Sequence, residues 1–225
     1  MAKRSKNVNT ETMKSWREGE LIDTFNLNRI ITTQTPLMQA WLDVQIPELN
    51  VGEQYMFDKD LLKAQKNIVG WSEEDLKIKF ISTILELGHL TEDDIVMSYF
   101  DKIISATVET INLTVKSDFM LAKGTLNVFK MPYFHFQEYK PQLNPSGEPM
   151  AQLLQAFLIA QEKNQHTKPL YGAEVIGANW RFVTMEGKDY CISKTFDSVD
   201  KTDLLTIIAV LRKFRHILET ELLPQ

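Results

Sequence analysis

Apolar residues recur along this chain with two different periods, and each change of period marks an element. "SEEDLKIKFISTILEL" opens just after Trp71 with a serine cap and three acids, where the positive end of a helix dipole favours them. Leu76, Phe80, Ile81, Ile84 and Leu85 then follow at helical spacing until Gly88 stops the run. "EPMAQLLQAFLIAQEKN" repeats the helical period through Met150, Leu153, Leu154, Phe157 and Leu158. A last helix is predicted from Lys201 to Leu222 on Leu204, Ile207, Ile208, Leu211, Phe214 and Leu218.

Elsewhere the period drops to two. "ATVETINLTVKSDFMLAKGTLNVF" is rich in β-branched and aromatic residues and alternates at Ile111, Leu113 and Val115, which predicts at least two strands with a turn near Lys123 and Gly124. "PYFHFQEYKPQ", residues 132–142, predicts another strand, and the prolines and glycine of "PQLNPSGEP" a loop. "LYGAEVIGANWRFVTMEGKDYCIS" gives one strand and then a hairpin turning at Glu186 to Asp189. Before Trp71 the patterns are helical and shorter: "TETMKSWREGELIDTF" with Met13, Trp16, Leu21 and Phe25 apolar, "TPLMQAWLDV" with proline in its first turn, and "KDLLKAQKNI". The reading is a mainly helical N-terminal extension over 1–70, followed over 71–225 by an α/β domain in which helices flank a mixed central β-sheet.

Composition narrows the function. A net charge of −5 excludes a protein that coats nucleic acid nonspecifically, which needs a positive excess to displace counterions, yet it leaves room for a local basic channel. Cys191 is the single cysteine, and the four histidines have no zinc-ligand spacing. The basic start lacks the apolar core of a secretion signal, and no apolar run is long enough to span a bilayer, so a cytoplasmic protein without a membrane partner is expected.

The chemistry concentrates in residues 132–142. Strand alternation places Phe134, Phe136, Glu138 and Lys140 on one face, two aromatics leading into two charges. Asp118 lies 20 residues earlier, near the edge of a strand, and a hairpin can bring it beside Glu138. Two close carboxylates repel unless a cation lies between them, which suits a hard divalent ion such as Mg2+, with Lys140 supplying positive charge to whatever the ion binds. Phosphodiester cleavage asks for that combination. Glu186-Gly187-Lys188 has the same acid-x-lysine spacing, but on a glycine turn, where solvated hairpin charges explain it. For Glu138 and Lys140 the plain alternatives are a mutual salt bridge or a strand end reaching water.

"SDFML" followed by "FQEYK" resembles the D...E-x-K core of the PD-(D/E)XK nuclease superfamily. "WSEEDLKIKFISTILELG" is similar to the first core helix of its restriction-endonuclease-like members, including the N-terminal nuclease regions of type I restriction subunits. "EPMAQLLQAFLIAQ" resembles the helix after the E-x-K strand, and "PLYGAEVIGANWRFVTMEGKDYCIS" the strand and hairpin that complete the sheet. The resemblance runs from about Trp71 to the C-terminus. It implies a restriction-endonuclease-like sheet and a DNA endonuclease using Mg2+ or Mn2+. Asp118, Glu138 and the main-chain carbonyl of Tyr139 would be metal ligands and Lys140 the catalytic lysine. Glu73, or its neighbour Glu74, would support the metal, and Gln152 would lie near the site. Ser117 stands where the family's proline would be. DNA is the implied partner, and the N-terminal helices are the expected docking surface should the protein have a protein partner. A nuclease-like module that has lost cleavage is the alternative. Trp180 and Tyr190 read as sheet packing before base stacking, and Arg212, Lys213, Arg215 and His216 as charge suited to a helix C-terminus, or as a strip along a nucleic-acid backbone.

Overall fold

The computed structural model describes residues 14–30, 35–93, 96–126, 128–164 and 168–223. It is a mixed α/β protein built on an open eight-stranded mixed sheet flanked by helices. The elements are α1 (Glu18–Phe25), β1 (Asn28–Ile30), α2 (Pro36–Leu42), α3 (Val51–Asn67), α4 (Glu73–Leu76), α5 (Ser82–Leu87), β2 (Met97–Val108), β3 (Ile111–Thr125), β4 (Val128–Lys140), α6 (Pro149–Asn164), β5 (Leu170–Ile176), β6 (Asn179–Glu186), β7 (Asp189–Ile192), β8 (Phe196–Asp197) and α7 (Lys201–Ile217). A π-turn over Lys77–Ile81 joins α4 to α5, so the helix predicted after Trp71 is one continuous rod with a single wide turn.

The strand order is β1-β7-β6-β5-β4-β3-β2, with β8 on β6. The pairs β4·β5 and β1·β7 are parallel and the others antiparallel. Residues before Trp71 therefore supply a sheet strand as well as helices. β1 closes the edge beside β7, the hairpin partner that turns at Gly187 as predicted. The predicted first helix begins at Glu18, and its part before residue 14 lies outside the described residues.

Each sheet face has its own core. Helices α2, α3, α4, α5 and α7 cover one face, around Trp41, whose ring meets Tyr171, Phe182 and Phe214 edge-on and whose indole N–H donates to the Val210 carbonyl at 3.0 Å. Helices α1 and α6 cover the other. Gly172 on β5 lets α6 lie that close: a Cβ there would come within 2.6 Å of the Phe136 carbonyl oxygen and 2.9 Å of the Phe157 ring. Trp180 and Tyr190 are fully buried, as sheet packing requires.

Two irregularities correct the period-two reading of the strands. Leu113 and Val115 pack under α6 together with Met120 and Ala122, whereas Phe119 and Leu121 face the other core. The inward parity of β3 thus changes at Asp118, directly across from Asp101 of β2, which has a left-handed φ of 54°. On β4 the register with β3 jumps at Phe134, because Leu121 pairs with His135 and Ala122 with Tyr133. That bulge turns Phe134 to the α7 side while Phe136 packs on Phe157 of α6, so the two aromatics do not share a face. The β3–β4 turn also comes later than predicted, after Thr125. Lys123 and Lys130 pair near its tip, about 16 Å along the strand from Asp118.

Gly172→Ala is expected to lower stability by ~1–3 kcal/mol, because its nearest obstacle is a backbone oxygen and overpacking outweighs the entropy gained in the unfolded chain. Urea unfolding followed by circular dichroism checks it, and an unchanged midpoint would contradict this account of how α6 seats.

Candidate active site

The last register pair between β3 and β4 is Phe119 with Gln137; beyond it β3 stays with β2 and β4 with β5. Asp118 and Glu138 sit where the strands part. Asp118 is 5% exposed and bonds across the gap: its Oδ2 accepts the Tyr139 N–H at 2.8 Å, in place of a ladder bond. The N–H and C=O of one strand residue leave on the same side, so the Tyr139 carbonyl also opens toward Asp118.

Glu138 is fully buried, and no N–H or hydroxyl donor among the described residues reaches either of its carboxyl oxygens. Burial first, then the neighbouring charge of Asp118 and a hydrogen bond that a protonated Glu138 can give it, pushes the carboxyl well above the usual range, against the pull of Lys140 and Lys77. The next acid across the parallel pairing, Glu174, is buried too but is held by Arg181, whose Nε donates at 2.6 Å. Two acids side by side on one sheet face, one matched by a cation and one left unpaired, identify Glu138 as the anomaly.

The serine cap and first-turn acids of α4 bring Glu73 to the same place. Lys140 Nζ lies 3.4 Å from Glu73 Oε2 and 4.0 Å from Asp118 Oδ2. Of the two candidate helix acids, Glu73 reaches the site, and Glu74 is exposed. Two further residues join them. Lys77 Nζ contacts Asp118 Oδ1 and Glu73 Oε1, each at 2.9 Å, and Asp101 Oδ1 at 3.5 Å. Burial would lower the Lys77 ammonium's pKa, but its hydrogen bonds to Asp118 and Glu73 hold it above the ordinary range. Asp101 in turn takes Lys116 at 2.6 Å. A signal for Lys77 existed, since it stands four residues after Glu73 on a predicted helix. Asp101 had no comparable signal. Lys123 and Lys130, close to Asp118 and Glu138 in the sequence, lie at the far hairpin tip.

Gln152 lies on α6 and lines a cleft with Lys140; its Oε1 is buried without a partner among the described residues. His135 takes no part: it is buried among Trp41, Phe119 and Phe214, and burial pushes it down to about 3, leaving a neutral ring bonded to Gln137. Lys188 of the turn pairs with Glu109 at 3.0 Å between exposed side chains, as expected of hairpin charge. Arg212 and Arg215 at the other end of the chain are tied to Glu53 and Glu219, each at 2.6 Å.

Among the described residues no three acidic, histidine or cysteine side chains are grouped so as to hold a metal ion. The oxygens at the parting of the strands are the carboxyls of Asp118 and Glu138, both hard donors, with the Tyr139 carbonyl leaving its strand on the Asp118 side. Mg2+ commonly takes one or two carboxylates and keeps several waters. No family model matches the chain, and no curated protein is detectably similar to it. No helix among the described residues is long and apolar enough to cross a membrane.

Glu138→Gln is expected to stabilise the metal-free protein by ~1–3 kcal/mol at neutral pH, because it removes an acid that, folded, must either keep its proton against the solution or bury its charge. A raised acid binds its proton more tightly in the folded state, so wild-type stability falls as pH rises above the ordinary value of 4.5. The advantage of the variant should accordingly shrink toward pH 4.5. Thermal unfolding of both proteins across pH in a chelator measures this, and a variant less stable than wild type at neutral pH would contradict it.

Proposed function

We propose that the protein is a Mg2+-dependent nuclease of the PD-(D/E)XK kind, with a restriction-endonuclease-like sheet, that hydrolyses phosphodiester bonds in DNA. One observation carries the reading: Glu138, buried and without an ion pair among the described residues, lies beside Asp118 and Lys140 where two strands part. An uncompensated acid costs stability in the free protein, and a divalent cation would relieve that cost.

Asp118, Glu138 and the Tyr139 carbonyl would hold the ion, with Glu73 supporting it from α4. Bound there, Mg2+ would lower the pKa of a water and offset charge growing on phosphate oxygens. Lys140, only 6% exposed and within 4.0 Å of Asp118, keeps its ammonium where a non-bridging phosphate oxygen or the attacking water could be held. Lys77 contributes by neutralising Asp118 and Glu73 in the free protein, and it must release Asp118 Oδ1 when a cation arrives.

Lys77 also favours a second reading, because an ammonium already seated between Asp118 and Glu73 can compensate those acids permanently. The protein would then be a nuclease-like binding module without catalysis. Titration calorimetry with Mg2+ or Mn2+ separates the two readings, since the module predicts no heat of binding.

On the nuclease reading, purified protein with Mg2+ or Mn2+ should cut DNA. Asp118→Asn should lose both cleavage and metal binding, and Lys140→Ala should lose cleavage by about 10²–10³-fold while still binding the ion. A plasmid-nicking assay beside calorimetry tests this, and full activity in both variants would refute it. Lys77→Gln should destabilise the metal-free protein yet bind Mg2+ more tightly, because a competing cation has gone. Weaker binding by that variant would show that Lys77 supports the ion site instead of competing for it.

A further inference from the structure

Lys140 forms a boundary between the acid cluster and a cleft of about 320 Å3 on the α6 side of the sheet. Its other main walls are Lys14 and Trp16 before α1, Lys116 on β3, and Gln152 and Gln155 on α6. Gln155 is 3% exposed; its Nε2 donates back to the Ala151 carbonyl at 3.3 Å, which directs Oε1 away, buried and without a partner among the described residues. Gln152 Oε1, three residues earlier on the same helix face, is in the same condition. Both ask for hydrogen-bond donors.

The rim is positive. Lys14, Lys116 and Lys140 stand against Glu148, which accepts the Glu18 backbone N–H at 3.0 Å. Lys14 is held over the Trp16 ring, 3.3 Å from its centroid. Lys116 pairs with half-exposed Asp101, a contact that costs little to exchange. A ligand for this cleft therefore carries negative charge at one end and hydrogen-bond donors at the other. At about 320 Å3 the cleft lies at the small end of ligand pockets, room for one nucleotide unit and not for a stacked duplex.

We propose that this cleft binds one nucleotide of a single DNA strand, with its phosphate among Lys14, Lys116 and Lys140 and its base toward Gln152 and Gln155. A base in a duplex already uses its donors on its complement and cannot leave the stack without cost, so the cleft selects an unpaired strand. The polymer class rests on the nuclease reading, and the test is chosen to be independent of cleavage.

Fluorescence anisotropy in EDTA at low salt, with a short labelled DNA strand and the same sequence as a duplex, measures binding alone. Wild type should bind the single strand more tightly. Gln155→Leu should weaken it about tenfold. Lys14→Ala should make the plot of log affinity against log salt shallower by about 0.7, the loss of one phosphate contact on a single strand. A merely structural lysine would not alter that slope. If Gln155→Leu fails to fold, the salt slope of Lys14→Ala decides. Absent single-strand binding, equal or tighter duplex binding, or wild-type behaviour in both variants would overturn the cleft assignment, whatever the cleavage assay of Asp118→Asn and Lys140→Ala returns.

Discussion

Where β3 parts from β4, buried Asp118 and Glu138 have the partly exposed acids Glu73 and Asp101 nearby, linked through Lys77 and Lys140, and like charge at that spacing needs cations to hold it. The fold answers with lysines: Lys77 bridges three of the four acids, Lys116 takes Asp101, and Lys140 spans Glu73 and Asp118. Glu138 is left over. Its neighbour Glu174 shows that the same sheet face can match a buried acid with an arginine, so the absence of such a partner for Glu138 is a property of the site and not of the sheet.

Backbone irregularity makes that convergence geometrically available. A regular hairpin would have continued the β3–β4 ladder past Phe119 and Gln137 and spent the Tyr139 N–H on a carbonyl. Here that N–H goes to Asp118, which needs the strands to separate at this point. The parity change at Asp118 and the bulge at Phe134 lie on either side of the opening, and bulges commonly re-aim side chains in this way. The wide helical turn that starts at Lys77 belongs to the same set of departures, since π-turns also concentrate at functional sites.

The legible parts of the sequence were those whose information is local. Ser72 with its three acids, Gly88 and the apolar stripe that ends at Leu85 fixed one helix, and Gly187 fixed the last hairpin, because caps and turn residues act on their own few neighbours. The pairing of Asp118 with Glu138 was readable because only one hairpin separates them. Lys77 was harder, since its decisive partner is 41 residues away, although its spacing from Glu73 was visible. Phe134 was misplaced because a bulge adds one residue without changing the amino-acid pattern. β1 escaped because three residues of mixed polarity have no measurable period, and only β7, some 160 residues later, makes them a strand.

Lys140 explains how an acidic chain could handle a phosphate polymer on the proposed reading. A site made only of carboxylates would repel its substrate at the distance where steering matters, and the net charge of −5 would add to that repulsion. Segregation resolves the conflict. Asp118 and Glu138 are buried where the strands part, with Lys77 on Asp118, while the opening beyond Lys140 presents Lys14 and Lys116 at its rim. Because Asp118 and Glu138 are buried and the rim lysines Lys14 and Lys116 are exposed, a phosphate approaching through this opening would meet positive groups before those two carboxylates. The order follows from depth, and it places Lys140 in both environments, its ammonium within 4.0 Å of Glu73 and Asp118 and its side chain in the wall of the cleft.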